Sequence, residues 1–208
     1  MDKPVTRISV RNLVEFILRS GDLDSRKGTM DKEAMLKGSR LHRKIQKQMG
    51  SDYKAEVSLK FENCYEDLDI LLEGRADGIF SEGDMVWVDE IKGIYGKVEQ
   101  LLQPVPVHSA QAKCYGYIYA VQQGIEKIGI QMTYANLDTE EIKRFREVYS
   151  LEELKAWYEK LLEEYHKWLS FQLKWKKIRN ESLKELEFPF VYREGQRKMV
   201  SGIYHSIS

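Results

Sequence analysis

An aspartate, a glutamate and a lysine fall within two neighbouring stretches of the chain. The first is Gly74-Arg75-Ala76-Asp77-Gly78-Ile79-Phe80; after a polar turn comes Val86-Trp87-Val88-Asp89-Glu90-Ile91-Lys92. Both stretches read as strands, and side chains alternate along a strand, so Glu90 and Lys92 share one face while Trp87 and Ile91 take the other. Val86 and Val88 lie on the Glu90 face, so the second strand begins in apolar packing and ends in a charged tip. A hairpin would bring Asp77 and Glu90 together. Two such carboxylates repel unless a divalent cation sits between them, and oxygen ligands suit magnesium or manganese rather than zinc. A lysine beside that ion orients an attacking water and offsets charge growing on a phosphate, the needs of a metal-dependent phosphodiesterase. The same spacing also suits an ordinary cross-strand ion pair. Residues further along the chain bear on the choice.

His108 to Ala120 is apolar almost all round, as a helix buried against a sheet must be. Within it Gln111 and Tyr115 are four apart and share a face. Taken in order, Gly-x-x-Asp, Glu-x-Lys and Gln-x-x-x-Tyr resemble the PD-(D/E)XK nuclease superfamily, and more closely the branch of RecB, AddA and the CRISPR-associated RecB-like exonucleases. That branch carries a histidine on an early helix, which His42 in Gly38-Ser39-Arg40-Leu41-His42 matches. The combined pattern covers residues 38 to 120.

The resemblance implies roles for these residues. Asp77 and Glu90 would ligate Mg2+ or Mn2+, with His42 and the Ile91 carbonyl as further ligands. Lys92 would be the signature lysine, and Gln111 and Tyr115 would steady it or contact the substrate backbone. Many members of the branch hold an iron–sulfur cluster on four cysteines. This chain has only Cys64 and Cys114, so no such cluster is expected. His42 also has an ordinary reading: Met35, Gly38, His42, Ile45 and Met49 recur at helical spacing, and a histidine on such an inward face is commonly a satisfied core residue. Glu56 and Glu73 are spare acids. Glu56 reaches the site only if its strand lies beside that of Asp77.

The elements that must position these groups are legible in outline. Ser9–Arg19 has helical periodicity. Asp24–Gly28 reads as loop, and Asp31 as the cap of a helix running to about Met49. Strands are expected near 54–63, 68–80 and 85–94, with Gly74, Ala76 and Gly78 sharing one face and leaving room for a close-packed helix. A loop over Gly93–Val107, a helix over Ser109–Gln123 and a strand over Ile128–Asn136 follow. From Thr139 to Arg179 the pattern predicts a helical region in two pieces, with Leu151, Leu154, Tyr158, Leu161, Leu162, Tyr165, Leu169, Trp157, Trp168 and Trp175 covering the core. The expected fold class is α/β (α+β): a restriction-endonuclease-like mixed central sheet flanked by helices, with a long C-terminal helical region.

Lysine and arginine number 33, as do aspartate and glutamate, so the chain has no basic excess for nucleic acid. Charge is nonetheless segregated. Arg40, Arg43, Lys44 and Lys47 surround His42, and Lys174-Trp175-Lys176-Lys177-Ile178-Arg179 forms a second patch. The first is a candidate DNA contact or the solvated face of an amphipathic helix, and the second a candidate DNA contact or the complement of a helix C-terminus. No apolar run is long enough to cross a bilayer, and the N-terminus lacks a signal-peptide layout. A soluble, cytoplasmic protein without membrane contact is expected. The tail Phe188-Pro189-Phe190 to Arg193-Glu194-Gly195-Gln196 resembles the opening of an XPD/DinG-type superfamily 2 helicase, which implies adenine recognition for Gln196; no Gly-x-x-x-x-Gly-Lys-Ser/Thr loop follows it. The expected organisation is a nuclease domain over 1–180 and, over 181–208, a linker and the start of a covalently linked helicase. Expected activity is exonucleolytic hydrolysis of DNA, single strands preferred, in repair or recombination. The alternatives are a non-cleaving nuclease fold that binds DNA or braces a helicase, and a metal-free interaction domain.

Overall fold

The computed structural model describes residues 3–20, 32–185 and 190–207. The expected Asp24–Gly28 loop, the Asp31 cap and the Phe188-Pro189 start of the tail motif lie outside them. Two compact units are present, Met1–Trp168 and Leu169–Ser208.

The first unit is a six-stranded mixed sheet with helices on both faces, a restriction-endonuclease-like arrangement. In chain order its elements are β1 (Val5–Ser9), α1 (Val10–Ile17), α2 (Lys32–Gln48), β2 (Lys54–Cys64), β3 (Asp69–Glu82), β4 (Met85–Ile94), α3 (Pro106–Gln123), β5 (Lys127–Asn136) and β6 (Ile142–Ser150). Helix α4 (Leu151–Lys184) then runs on into the second unit, which ends in α5 (Gln196–Ile207). The strand order is β1-β3-β4-β5-β6, with β2 also paired to β3. Consecutive strands β2, β3 and β4 pair antiparallel, while β4 and β5 pair parallel across the helical connection through α3, as parallel neighbours require.

Strand β5 is buried along its whole length after Lys127, the near-continuous burial of a strand covered on both faces. The two covering layers follow from alternation on β4. Ile91 packs with Leu41 and Ile45 of α2, whereas the next residue, Lys92, bonds to Gln111 of α3. Thus α2 and α3 lie on opposite faces. Helix α3 is buried on most of its circumference, between the sheet and α4, where the rings of Tyr117 and Tyr158 approach to 4.2 Å.

Several expectations change. The region Thr139–Arg179 is not helical throughout: β6 occupies its start, and α4 is one piece rather than two. Ile142, Phe145 and Val148 recur every third residue and imitate a helix face, but pairing with β5 supplies the hydrogen bonds, and the intervening Lys and Arg residues suit an edge strand. Strand β1, too short to stand out in sequence, pairs parallel to β3. Helix α3 begins at Pro106, whose fixed φ favours the first helical turn, so the preceding loop is shorter than expected and contains a 3-10 turn at Val98–Gln100. Met35 and Trp175, placed on inward faces by their spacing, are more than half exposed. Leu36, beside Met35 in the first turns of α2, is likewise exposed.

The small residues on β3 serve two partners. A Cβ on Gly74 would meet the ring of Tyr115 in α3 at 2.8 Å, as a close-packed helix requires. Gly78 instead receives Tyr53, at the head of β2, whose ring a Cβ would approach to 1.8 Å. The Tyr53 hydroxyl donates to the fully buried Asp89 at 3.0 Å. Gly78→Ala is therefore expected to expel Tyr53 and break that bond, costing about 2–4 kcal/mol as a fall in denaturation midpoint at unchanged slope.

Candidate active site

A strand has two edges, and β2 occupies one edge of β3 along nearly its whole length. The other edge is shared: β1 pairs with Asp69–Glu73 and β4 with Gly78–Glu82. Between them, Gly74–Asp77 has no strand partner on that side among the described residues. Asp77 stands where β4 diverges, one position past the last ladder pair, Gly78 with Asp89. Its Oδ2 accepts the N–H of Ile91 at 2.7 Å, so a side chain substitutes for the missing backbone acceptor and ties the two strands at the point of separation.

Helix α2 brings two side chains, one turn apart, to Asp77. His42 places Nδ1 3.6 Å from Asp77 Oδ1, and Gln46 donates from Nε2 to the Asp77 carbonyl at 2.9 Å and to Glu56 Oε1 at 3.0 Å. Glu56 is not a freely solvated strand acid. It is bonded to Arg75 Nε at 2.6 Å and held at φ +58°, a left-handed conformation that costs a non-glycine residue energy. Gln46 carried no motif. Its signal was position alone, four residues after His42 and so on the same face. Gln46→Ala is expected to loosen the Asp77 peptide, destabilise the protein by about 1–2 kcal/mol and weaken manganese binding severalfold by calorimetry.

The second acid is buried deeper. Glu90 is 1% exposed, and its Oε1 meets Lys92 Nζ at 2.8 Å. Lys92 donates onward to Gln111 Oε1 at 3.1 Å, and Gln111 Nε2 to the Tyr115 hydroxyl at 3.4 Å, so the four residues form one polar chain from β4 to α3. Burial, reinforced by the charge of Asp77 and only partly offset by Lys92, pushes the Glu90 carboxyl up to about 8. Burial likewise raises Tyr115. On the other face of β4, Asp89 accepts from Thr133 Oγ1 at 2.6 Å as well as from Tyr53; burial raises its carboxyl against these bonds. At the start of α3, His108 Nδ1 lies 3.2 Å from the Tyr134 hydroxyl, and burial together with the charge of Lys92 pushes the imidazole down to about 4.

The residues present fit a divalent ion. The remaining Glu90 oxygen, Oε2, is buried with no hydrogen-bond partner among the described residues, while the charge of Asp77 already raises the Glu90 carboxyl. A buried carboxylate oxygen so placed is costly unless a cation or a proton answers it. Asp77 and Glu90 supply carboxylate oxygens, the hard donors that magnesium and manganese accept, and His42 adds one imidazole nitrogen. The three are not drawn tightly together: Glu90 turns toward Lys92. Among the described residues, the only set of three donor atoms within 4.8 Å of one another is Glu62, Cys64 and Asp69, on β2 and β3. There Asp69 also pairs with Lys3 at 3.3 Å. Around His42, Lys44 is paired with Glu140, while Arg40, Arg43 and Lys47 are exposed.

This mixed sheet flanked by helices is an architecture shared with solved structures. One is the crystal structure of SSO0001, similar over 79% of this chain and 76% of that one at 20% identity, with a TM-score of 0.54. Another is an alkaline exonuclease (LHK-Exo) from Laribacter hongkongensis, similar over 85% of this chain and 94% of that one at 15% identity, with a TM-score of 0.53. No family model matches the chain. No curated protein matches it.

Proposed function

We propose that the protein is a magnesium- or manganese-dependent deoxyribonuclease of the PD-(D/E)XK type. The observation that carries this reading is the buried Glu90 beside Lys92, its Oε2 without a hydrogen-bond partner among the described residues, on the strand that Asp77 ties to β3 through the Ile91 N–H. The likeness of fold to an alkaline exonuclease supports it.

In this reading Asp77 and Glu90 hold the ion, with His42 and the Ile91 carbonyl as further ligands. The ion, when bound, supplies the acidity that makes water a nucleophile at neutral pH. Lys92 orients that water and offsets charge on the phosphate. Gln111 fixes the ammonium by accepting its hydrogen bond, and Tyr115 fixes Gln111. The water oxygen bonds to phosphorus in line with the departing O3′, the P–O3′ bond breaks, and a 5′-phosphate and a 3′-hydroxyl remain. The buried, neutral His108 adds no positive charge beside Lys92. The Ile91 amide is already committed to Asp77, which sets the strand that would present the carbonyl.

The preferred substrate is single-stranded DNA, attacked from an end, in a longer chain whose tail leads into a helicase and whose work is repair or recombination. Gln196, the adenine-reading position of that proposal, here accepts the Arg193 N–H at 2.7 Å at the start of α5. Manganese titration with linear and circular single strands tests the whole: cleavage of linear strands alone marks an exonuclease, and cleavage of both an endonuclease. Binding of strands without cleavage at any manganese concentration would leave the non-cleaving alternative.

A further inference from the structure

The second unit carries a surface that the active site does not use. From Leu169 to Asn180 the chain has no aspartate or glutamate, yet it holds Lys174, Lys176, Lys177 and Arg179, in a protein whose charges balance as a whole. All four cations are exposed on α4, as are Phe171, Trp175 and Ile178, each more than half accessible. At about 100° per residue, Phe171, Trp175 and Ile178 fall within an arc of about 60°, with Lys174 on one flank and Arg179 on the other. The ammonium groups of Lys174, Lys176 and Lys177 meet no carboxylate among the described residues. A narrow aromatic strip edged by cations matches a chain of flat rings joined by phosphates. It lacks the broad apolar face by which a helix lies in a membrane surface.

We infer that this face of α4 is a binding surface for single-stranded nucleic acid, with Trp175 stacking on bases and Lys174 and Arg179, on its two flanks, meeting phosphates. The surface spans about 14 Å of helix, room for a few nucleotides. The choice of ligand rests on the nuclease reading, but binding does not require cleavage. The surface is also separate in sequence from His42, Asp77, Glu90 and Lys92.

The test uses the full chain carrying Asp77→Ala, in chelator, so that nothing is cut. Fluorescence anisotropy of a labelled oligothymidylate is followed against salt, together with tryptophan emission. The expected result is that Lys174→Glu with Arg179→Glu weakens binding at least tenfold, and that the milder Lys174→Gln with Arg179→Gln lowers the slope of log affinity against log salt by about 1.4. Trp175→Ala should remove most of the change in emission. Unchanged affinity and slope in both paired variants would overturn the proposal. So would binding of phosphatidylserine vesicles in place of the oligonucleotide. A parent protein that never cleaves, yet loses oligonucleotide binding on charge reversal, would sink the nuclease reading and leave this one standing.

Discussion

Lys92→Ala and Asp77→Ala are each expected to lower manganese-dependent cleavage of single-stranded DNA by on the order of 10²–10³-fold or more, while far-ultraviolet circular dichroism stays at the parent's. The two losses differ in origin. Asp77 offers one carboxylate oxygen to the site and ties the strands with the other through the Ile91 N–H, so its removal should abolish calorimetric manganese binding. Lys92 is not a metal ligand in the proposed site. Its alanine variant should still bind manganese, more weakly near neutral pH, because the neighbouring Glu90 carboxyl loses the cation paired with it, which favours its ionised form. Cleavage at the parent rate in both variants would dismiss the active-site assignment.

Glu90→Gln is expected to make the metal-free protein more stable at pH 8 and to erase its response to manganese. The reason lies in the sign of the linkage. The Glu90 carboxyl is raised by folding, so its stabilising contribution is complete below the ordinary glutamate range, and it fades as pH climbs toward about 8. Across that window the native state binds more protons than the unfolded chain, and metal-free stability should fall by on the order of a few kcal/mol. Manganese binds the ionised form and should restore the loss, with affinity rising over the same window. Melting curves at pH 5 and pH 8, with and without manganese, check both arms. Because the lowered His108 gains stability over part of the same range, the comparison is with Glu90→Gln: a parent whose melting temperature does not fall relative to that variant from pH 5 to pH 8 in chelator would contradict the environment described for this residue.

Much of this site could be read from the chain because its chemistry is local. The Gly-x-x-Asp and Glu-x-Lys stretches lie on the two arms of one hairpin, and Gln111 and Tyr115 lie one turn apart on one helix. Alternation and helical spacing were then enough to predict which side chains share a face. What escaped is non-local. The shared edge of β3 depends on β1, a five-residue strand whose partner lies some sixty residues downstream. The bonds of Gln46 and the left-handed Glu56 arise only when α2 settles over β2 and β3. Strand β6 was misread because a charged edge strand with apolar residues every third position carries no two-residue alternation. Compactness separates two units at Trp168, in the middle of α4.

The undivided course of β3 has a consequence for how such a protein can vary. One strand is registered against β2 on one side and against β1 and then β4 on the other, with Asp77 between the two pairings. Inserting or deleting a single residue between Leu72 and Gly78 would invert every side chain downstream and turn Asp77 away from His42 and Ile91. Added length in the connection from Tyr95 to Val105 inverts nothing. Kin of this protein should therefore differ freely in the size of that connection while keeping the count along β3 constant, and libraries built to alter substrate preference belong in the former and not in the latter.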